Sequence, residues 1–226
     1  LWRMLFWFES KPRSKKYTPR QFNLWKTTMI ISQDSQLREV YKKTSVDEIR
    51  KIFLEGIIFI VDTIDQRYDS IIKHLQPDAP SMDDAMRDAW VLIDNLYRLS
   101  QVINSTPGFD QSRTPYQLTF RKLLPVKPLR HFIQHYNRSL QQIYINIKPV
   151  VGHISYLKIL EEKKIGSVFV IPGSIRKFKG LGLVNPAGKI MRNNIDHITL
   201  YLEDNSIDIS DLYYQLHAFI TDLDSY

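Results

Sequence analysis

The residues whose types could do chemistry lie together in one short segment, Leu129 to Asn137. Arg130 carries a guanidinium that can hold phosphate through two N–H groups, and His135 carries an imidazole that can move protons near neutral pH. An arginine and a histidine separated by four residues therefore indicate phosphate chemistry. The neighbouring polar side chains are expected to support or bind the same anion: Lys127, His131, Gln134, Asn137 and Arg138.

These side chains are expected on a helix that begins near Pro128 and runs to Ile147. Apolar residues at three- and four-residue spacing form its buried stripe, and the polar side chains occupy the other face. Arg130 is expected in the first turn, where free backbone N–H groups favour an anion. Arg130 and His135 diverge by about 140° around an ideal helix, so two copies of the chain would complete a shared cleft more easily than one.

The segment resembles the motif of the HEPN class of nucleotide- and RNA-binding helical domains: an arginine, usually a polar residue directly after it, and a histidine after four to six intervening residues. Here these are Arg130, His131 and His135. The resemblance covers residues 46–147 as a four-helix bundle and does not extend to the residues that follow. It implies a homodimer with its motifs at the interface, and a metal-independent ribonuclease in which His135 assists proton transfer and Arg130 stabilises the developing charge.

The hydrophobic pattern predicts the elements that position this segment. A stripe from Ile49 to Leu75 indicates a long helix, with Ser45 and Glu48 as its capping box. A second helix is expected after Ser81, and a shorter one over Tyr116 to Leu124. Beyond Pro149 the period shifts towards two, which predicts strands at four places and then a terminal helix: Ile154–Leu160, Val168–Ile171, Ile198–Leu202 and Ile207–Ile209.

We therefore expect a mainly α protein, α+β overall, in which a bundle of four or more helices carries a small C-terminal sheet or hairpin and a terminal helix. Residues 1–44 are interpreted as a basic and aromatic N-terminal arm that docks or builds an oligomer. Residues 45–148 are interpreted as the HEPN-like bundle, and residues 149–226 as a small α+β tail packing on it.

Charge is distributed unevenly along the chain, whose net charge is +7. Residues 113–180 contain thirteen lysines and arginines against two glutamates. If these cations cluster in space, they form a positive face that favours nucleic acid, nucleotide or another anionic partner. If they are scattered, they are solvated and carry no function.

Two functions stay open: a ribonuclease or RNA- or nucleotide-binding homodimer, and a non-enzymatic regulatory protein whose basic face binds nucleic acid or an acidic partner. The absence of cysteine excludes disulfides and thiolate chemistry and favours a cytoplasmic location. We expect no cofactor and no metal site. No segment is long and apolar enough to span a membrane, and peripheral membrane contact through the arm is not expected.

Overall fold

The computed structural model describes the chain in a set of ranges and single residues: 4–7, 29–43, 45–76, 79, 81–108, 112, 114–138, 140, 143, 151–159, 165–172, 197–202 and 205–224. Within these lie five α-helices of at least nine residues, a 3₁₀ helix (Gln36–Lys42) and five strands, which form one α+β unit. The prediction of a mainly α protein with a small sheet and a terminal helix is confirmed.

Four of the five α-helices follow the predicted hydrophobic stripes closely, and the one expected to begin near Pro128 departs from its stripe. They are α1 (Glu48–His74), α2 (Asp83–Ser105), α3 (Thr114–Leu123), α4 (Val126–Gln134) and α5 (Ile209–Asp224). The capping-box prediction for α1 was wrong: the cap is Asp47, whose carboxylate accepts the N–H of Ile49 at 3.4 Å. None of the helices in the described part of the chain combines the length and apolar composition needed to cross a bilayer.

The helix expected to run from Pro128 to Ile147 is interrupted. It begins two residues earlier, at Val126, and α4 ends at Gln134 with His135 as its C-cap. Residues 136–138, 140 and 143 are helical again. Arg130 is consequently the fifth residue of α4 and not part of its first turn, so the expected help from free backbone N–H groups is lost there.

The sheet is antiparallel throughout, with strand order β1-β3-β2-β4-β5. Its strands are β1 (Met4–Trp7), β2 (His153–Ile159), β3 (Ile165–Val170), β4 (His197–Leu202) and β5 (Asn205–Asp208). The last four overlap the four predicted strands, although Ile209, expected to end the last of them, begins α5. The first was not predicted: part of the supposed docking arm is an edge strand, and residues 8–28 of that arm lie outside the described residues.

One continuous core joins the helices and the sheet. Apolar side chains of α1, α2 and α5 pack in the same cluster as Ile154, Tyr156 and Leu200 of the sheet. Residues ahead of α1 also contribute, since Ile30 and Ile31 are buried in it. The division into an arm, a bundle and a tail stays a prediction. Residues from all three predicted parts are buried in the same hydrophobic core.

Two carboxylates of α1 hold the preceding segment in place. Asp62 receives two hydrogen bonds from the guanidinium of Arg38, at 2.6 and 2.9 Å, and Arg38 also donates to the backbone oxygen of Ile31. Asp65 is buried and accepts the backbone N–H of Ile30 at 2.9 Å and the hydroxyl of Tyr213 in α5. Charged hydrogen bonds in a buried setting are among the stronger polar contacts in a protein.

Candidate phosphate-binding cleft

Helix α4 forms because its apolar residues recur on one side. Val126, Leu129 and Phe132 are buried at three-residue intervals, and Pro128 sits in the first turn, where its missing N–H has no helical partner to lose. The opposite side therefore faces outward. It carries Lys127 and His131, both exposed, as the sequence pattern predicts.

A cleft of about 610 Å³ opens along this outer side of α4. Its walls come from three elements: α4, the middle of α2 and the start of β5. The volume lies in the range of known ligand sites. The lining consists of Tyr97, Lys127, Pro128, Arg130, His131, Phe132, Gln134 and Asn205.

The guanidinium of Arg130 is held by three neighbours. Its Nε–H donates to Oδ1 of Asp94 at 3.0 Å, and Nη1 donates to Oε1 of Gln134 at 2.8 Å. The central carbon lies 4.2 Å from the centre of the Tyr97 ring, so the guanidinium covers that ring in a cation–π contact. The side chain keeps 22% of its exposure. Arg130 is thus fixed in place before any ligand arrives.

Asp94 binds two arginines at once. Besides Arg130 it accepts Nε–H of Arg98, one helical turn further along α2, at 2.6 Å. Burial raises the pKa of the Asp94 carboxyl, hydrogen bonds from Arg98 and Arg130 lower it, and the net pKa lies below its usual value. The carboxylate is therefore charged at neutral pH and offsets part of the positive charge beside the cleft.

His131 and His135 lie beside each other. Their ring centres are 4.4 Å apart, as expected for side chains one helical turn apart. His131 lines the cleft, whereas His135, at the C-cap of α4, lies outside its lining. Both imidazoles can still act on one anion if that anion extends beyond the cleft.

The structure brings together some of the expected site residues and not others. Of the expected set, the cleft lining contains Lys127, Arg130, His131 and Gln134. Asn137 and Arg138 are exposed beyond the end of α4 and outside that lining.

Sequence reasoning did not identify the contributions of α2 and β5 to the cleft. Tyr97 and Asn205 both line the cleft, but neither lies near Arg130 in the sequence. Asp94 and Arg98 form an i,i+4 pair that the sequence does contain, but only the fold brings that pair beside Arg130.

A histidine–carboxylate pair lies on the sheet side of the protein. His197 is buried in β4, with Nδ1 2.9 Å from Oδ2 of Asp208, and the other oxygen of Asp208 accepts the backbone N–H of Asp211 at the start of α5. Asp208 therefore joins the sheet to the helix. In the described part of the chain, no three His, Asp or Glu side chains are grouped so that they could hold a metal ion.

Comparisons of the chain with protein-family models, with curated proteins and with solved structures find no match.

Proposed function

We propose that this protein binds RNA or a nucleotide in the cleft along α4. The observation that carries the proposal is the composition of the cleft: three groups that are or can become cationic lie beside an aromatic ring and two amides. None of the described lining residues is acidic. Phosphate requires cations and N–H donors, and a base requires a flat apolar surface and hydrogen-bonding groups. The cleft contains both sets.

Lys127 is the side chain best suited to the phosphate. It is exposed and lines the cleft. Its ammonium acts as a point charge that can follow a phosphate without a fixed geometry. Arg130, in contrast, already uses two of its nitrogens for Asp94 and Gln134.

Salt dependence of binding tests this proposal. Binding of a fluorescent single-stranded oligoribonucleotide is measured by anisotropy over a range of salt concentrations, for wild type, Lys127→Ala and Lys42→Ala. Lys42 is an exposed lysine ahead of α1 that pairs with Glu39 and is not in the cleft lining. Its replacement by alanine changes the net charge by the same amount as Lys127→Ala.

We expect Lys127→Ala to lower the slope of log affinity against log salt by about 0.7, the value for one lost phosphate contact on a single strand. Lys42→Ala should leave the slope unchanged. Equal effects of the two variants, or binding that does not respond to salt, would refute the proposal.

A metal-independent ribonuclease of the HEPN type is the second candidate, and the contact between His131 and His135 favours it. Two adjacent imidazoles can divide the proton transfers. The 2′-hydroxyl of the RNA attacks the adjacent phosphorus, the bond to the 5′-oxygen breaks, and a 2′,3′-cyclic phosphate remains. His135 takes the proton of the 2′-hydroxyl, and His131 gives one to the leaving 5′-oxygen. In a homodimer, Arg130 of one copy stabilises the charge at the phosphate beside His135 of the other.

Cleavage assays separate the two candidates. A ribonuclease of this kind cleaves RNA in EDTA, and both Arg130→Ala and His135→Ala abolish cleavage while binding persists. If the site is shared between copies, mixing the two inactive variants restores about a quarter of the activity, because mixed dimers contain one intact site. Equal cleavage by wild type and both variants would eliminate this candidate and leave the binding function.

A further inference from the structure

The hydrogen bonds of Arg130 engage part of both edges of its guanidinium. A guanidinium offers phosphate two edges in its plane, one formed by Nε and Nη2 and the other by Nη1 and Nη2. Nε donates to Asp94 and Nη1 donates to Gln134, so each edge has one of its two nitrogens already engaged. The central carbon lies over the ring of Tyr97, and Arg130 also lines the cleft. The side of the guanidinium away from Tyr97 carries none of these contacts.

The same contacts hold the plane of the guanidinium in one orientation. Asp94 and Gln134 come from different helices, and the ring of Tyr97 packs against one side of the guanidinium. A long side chain held in this way has already lost most of its rotamer freedom, so a ligand that stacks on it meets a rigid surface at little further entropic cost. Arg130, with its central carbon over the ring of Tyr97, forms part of the cleft wall together with that ring, and we call this pair the Arg130–Tyr97 platform.

We propose that the Arg130–Tyr97 platform binds an unpaired nucleobase by stacking, and that the phosphate contacts of the cleft come from Lys127 and His131. The inference rests on the proposed function and specifies how the ligand is bound. Bases stack on guanidinium planes as they do on aromatic rings, and the positive charge strengthens the contact. Bases paired in a duplex cannot reach such a platform, so the ligand is a single strand or a free nucleotide.

This assignment differs from the role that the sequence suggests for Arg130. A phosphate clamp uses the edges of the guanidinium and depends on charge, whereas a stacking platform uses its face and depends on planarity. Lysine keeps the charge and loses the plane. The two roles therefore predict different results for the conservative replacement Arg130→Lys.

The test compares two hexamers of equal charge, oligoriboadenylate and an abasic ribose-phosphate chain of the same length, by titration calorimetry at one salt concentration. We expect wild type to bind the adenylate hexamer about tenfold more tightly, because stacking of one base contributes about 1–3 kcal/mol. Arg130→Lys should bring this ratio close to one and leave the affinity for the abasic hexamer nearly unchanged. Arg121→Lys, at an exposed arginine of α3 outside the cleft lining, is the matched control and should keep the wild-type ratio.

A second variant, Asp94→Asn, keeps the test valid if Arg130→Lys is unstable. It removes the charge that holds the plane, so the ratio should fall while binding of the abasic hexamer stays equal or improves. If Arg130 were a phosphate clamp restrained by Asp94, both hexamers would bind more tightly by the same factor, and the platform would be refuted.

The results also separate this inference from the proposed function. A wild-type ratio near one with salt-dependent binding of both hexamers refutes the platform and leaves the binding function. Binding of neither hexamer refutes both. A parallel titration with adenosine monophosphate, against ribose 5-phosphate, identifies the source of the base: an equal ratio for the monomers indicates a free nucleotide as ligand, and a ratio seen only with the hexamers indicates a strand.

Discussion

Replacement of Tyr213 by phenylalanine tests the polar contact that joins α5, α1 and the segment before α1. The hydroxyl of Tyr213 donates to one oxygen of the buried Asp65 carboxylate, while the backbone N–H of Ile30 donates to the other. Phenylalanine keeps the ring, which stacks on Tyr68 with centres 3.8 Å apart. The change therefore removes one donor and little packing.

The expected cost follows from the charge and burial of the acceptor. A hydrogen bond to a charged group contributes about 1.5–3 kcal/mol, and a buried oxygen left without its donor costs an amount in the same range. Asp65 is only 6% exposed, and in the variant the oxygen keeps no donor from α5. We expect the free energy of unfolding to fall by about 2 kcal/mol, which corresponds to about 4–8 °C in Tm for a chain of this length.

Urea unfolding followed by circular dichroism measures this change, with Tyr116→Phe as the matched control. Tyr116 is also buried, but its hydroxyl donates to the neutral amide oxygen of Asn104. Its loss should cost about 1 kcal/mol or less. A cost below about 0.5 kcal/mol for Tyr213→Phe, or equal costs for the two variants, would show that the buried carboxylate does not hold α5 as we infer.

Three further changes test other parts of the fold. Gly152→Ala should destabilise the protein by about 3 kcal/mol in urea unfolding, since Gly152 has φ +83° and an added Cβ would lie 2.3 Å from the backbone oxygen of Tyr201; normal stability would mean that the turn relaxes freely. Burial lowers the pKa of His153 from 6.5 to about 4, so the fold holds it neutral. The free energy of unfolding is therefore undiminished by His153 above pH 6.5 and decreases as the pH falls towards 4, by at most about 3 kcal/mol. His153→Phe should flatten this part of the pH–stability curve, and an unchanged curve would contradict the assignment. Arg38→Ala should cost about 2 kcal/mol by removing the paired bonds to Asp62, whereas a loss under about 0.5 kcal/mol would mean that this ion pair is solvated.

Local pattern was sufficient to predict most of the fold. Helices α1 and α2 have long stripes at three- and four-residue spacing, and β4 alternates from Ile198 to Leu202. Short windows of sequence are therefore enough to predict which of their residues are buried. Strand β1 was missed because a run of apolar residues has no period. Its structure depends on pairing with β3, where Met4 lies opposite Phe169, and no local signal reports a partner so distant in the chain.

The interruption at His135 was also not predictable from local pattern. Apolar residues keep helical spacing across it, and neither glycine nor proline marks the position. The structure gives the place of the break, at the C-cap of α4, but no single contact that explains it.

The candidate site was predictable to the extent that it lies on one helix face. Lys127, Arg130 and His131 share that face by helical geometry alone. The partners that determine what Arg130 can do come from elsewhere: Asp94 is 36 residues earlier in the chain, and Asn205 is on the sheet. Residue type suggested a phosphate clamp, and only the surrounding contacts indicate a different use of the same side chain.

Strand β5 connects the cleft to the interior over a span of four residues. Its first residue, Asn205, lines the cleft, and its last, Asp208, caps α5 and contacts the buried His197. All four residues of β5 pair with β4, so one hydrogen-bonded ladder connects its two ends. Ligand binding in the cleft should accordingly slow amide hydrogen exchange in the first turn of α5. Binding at the surface would then change the dynamics of a helix end that packs in the core.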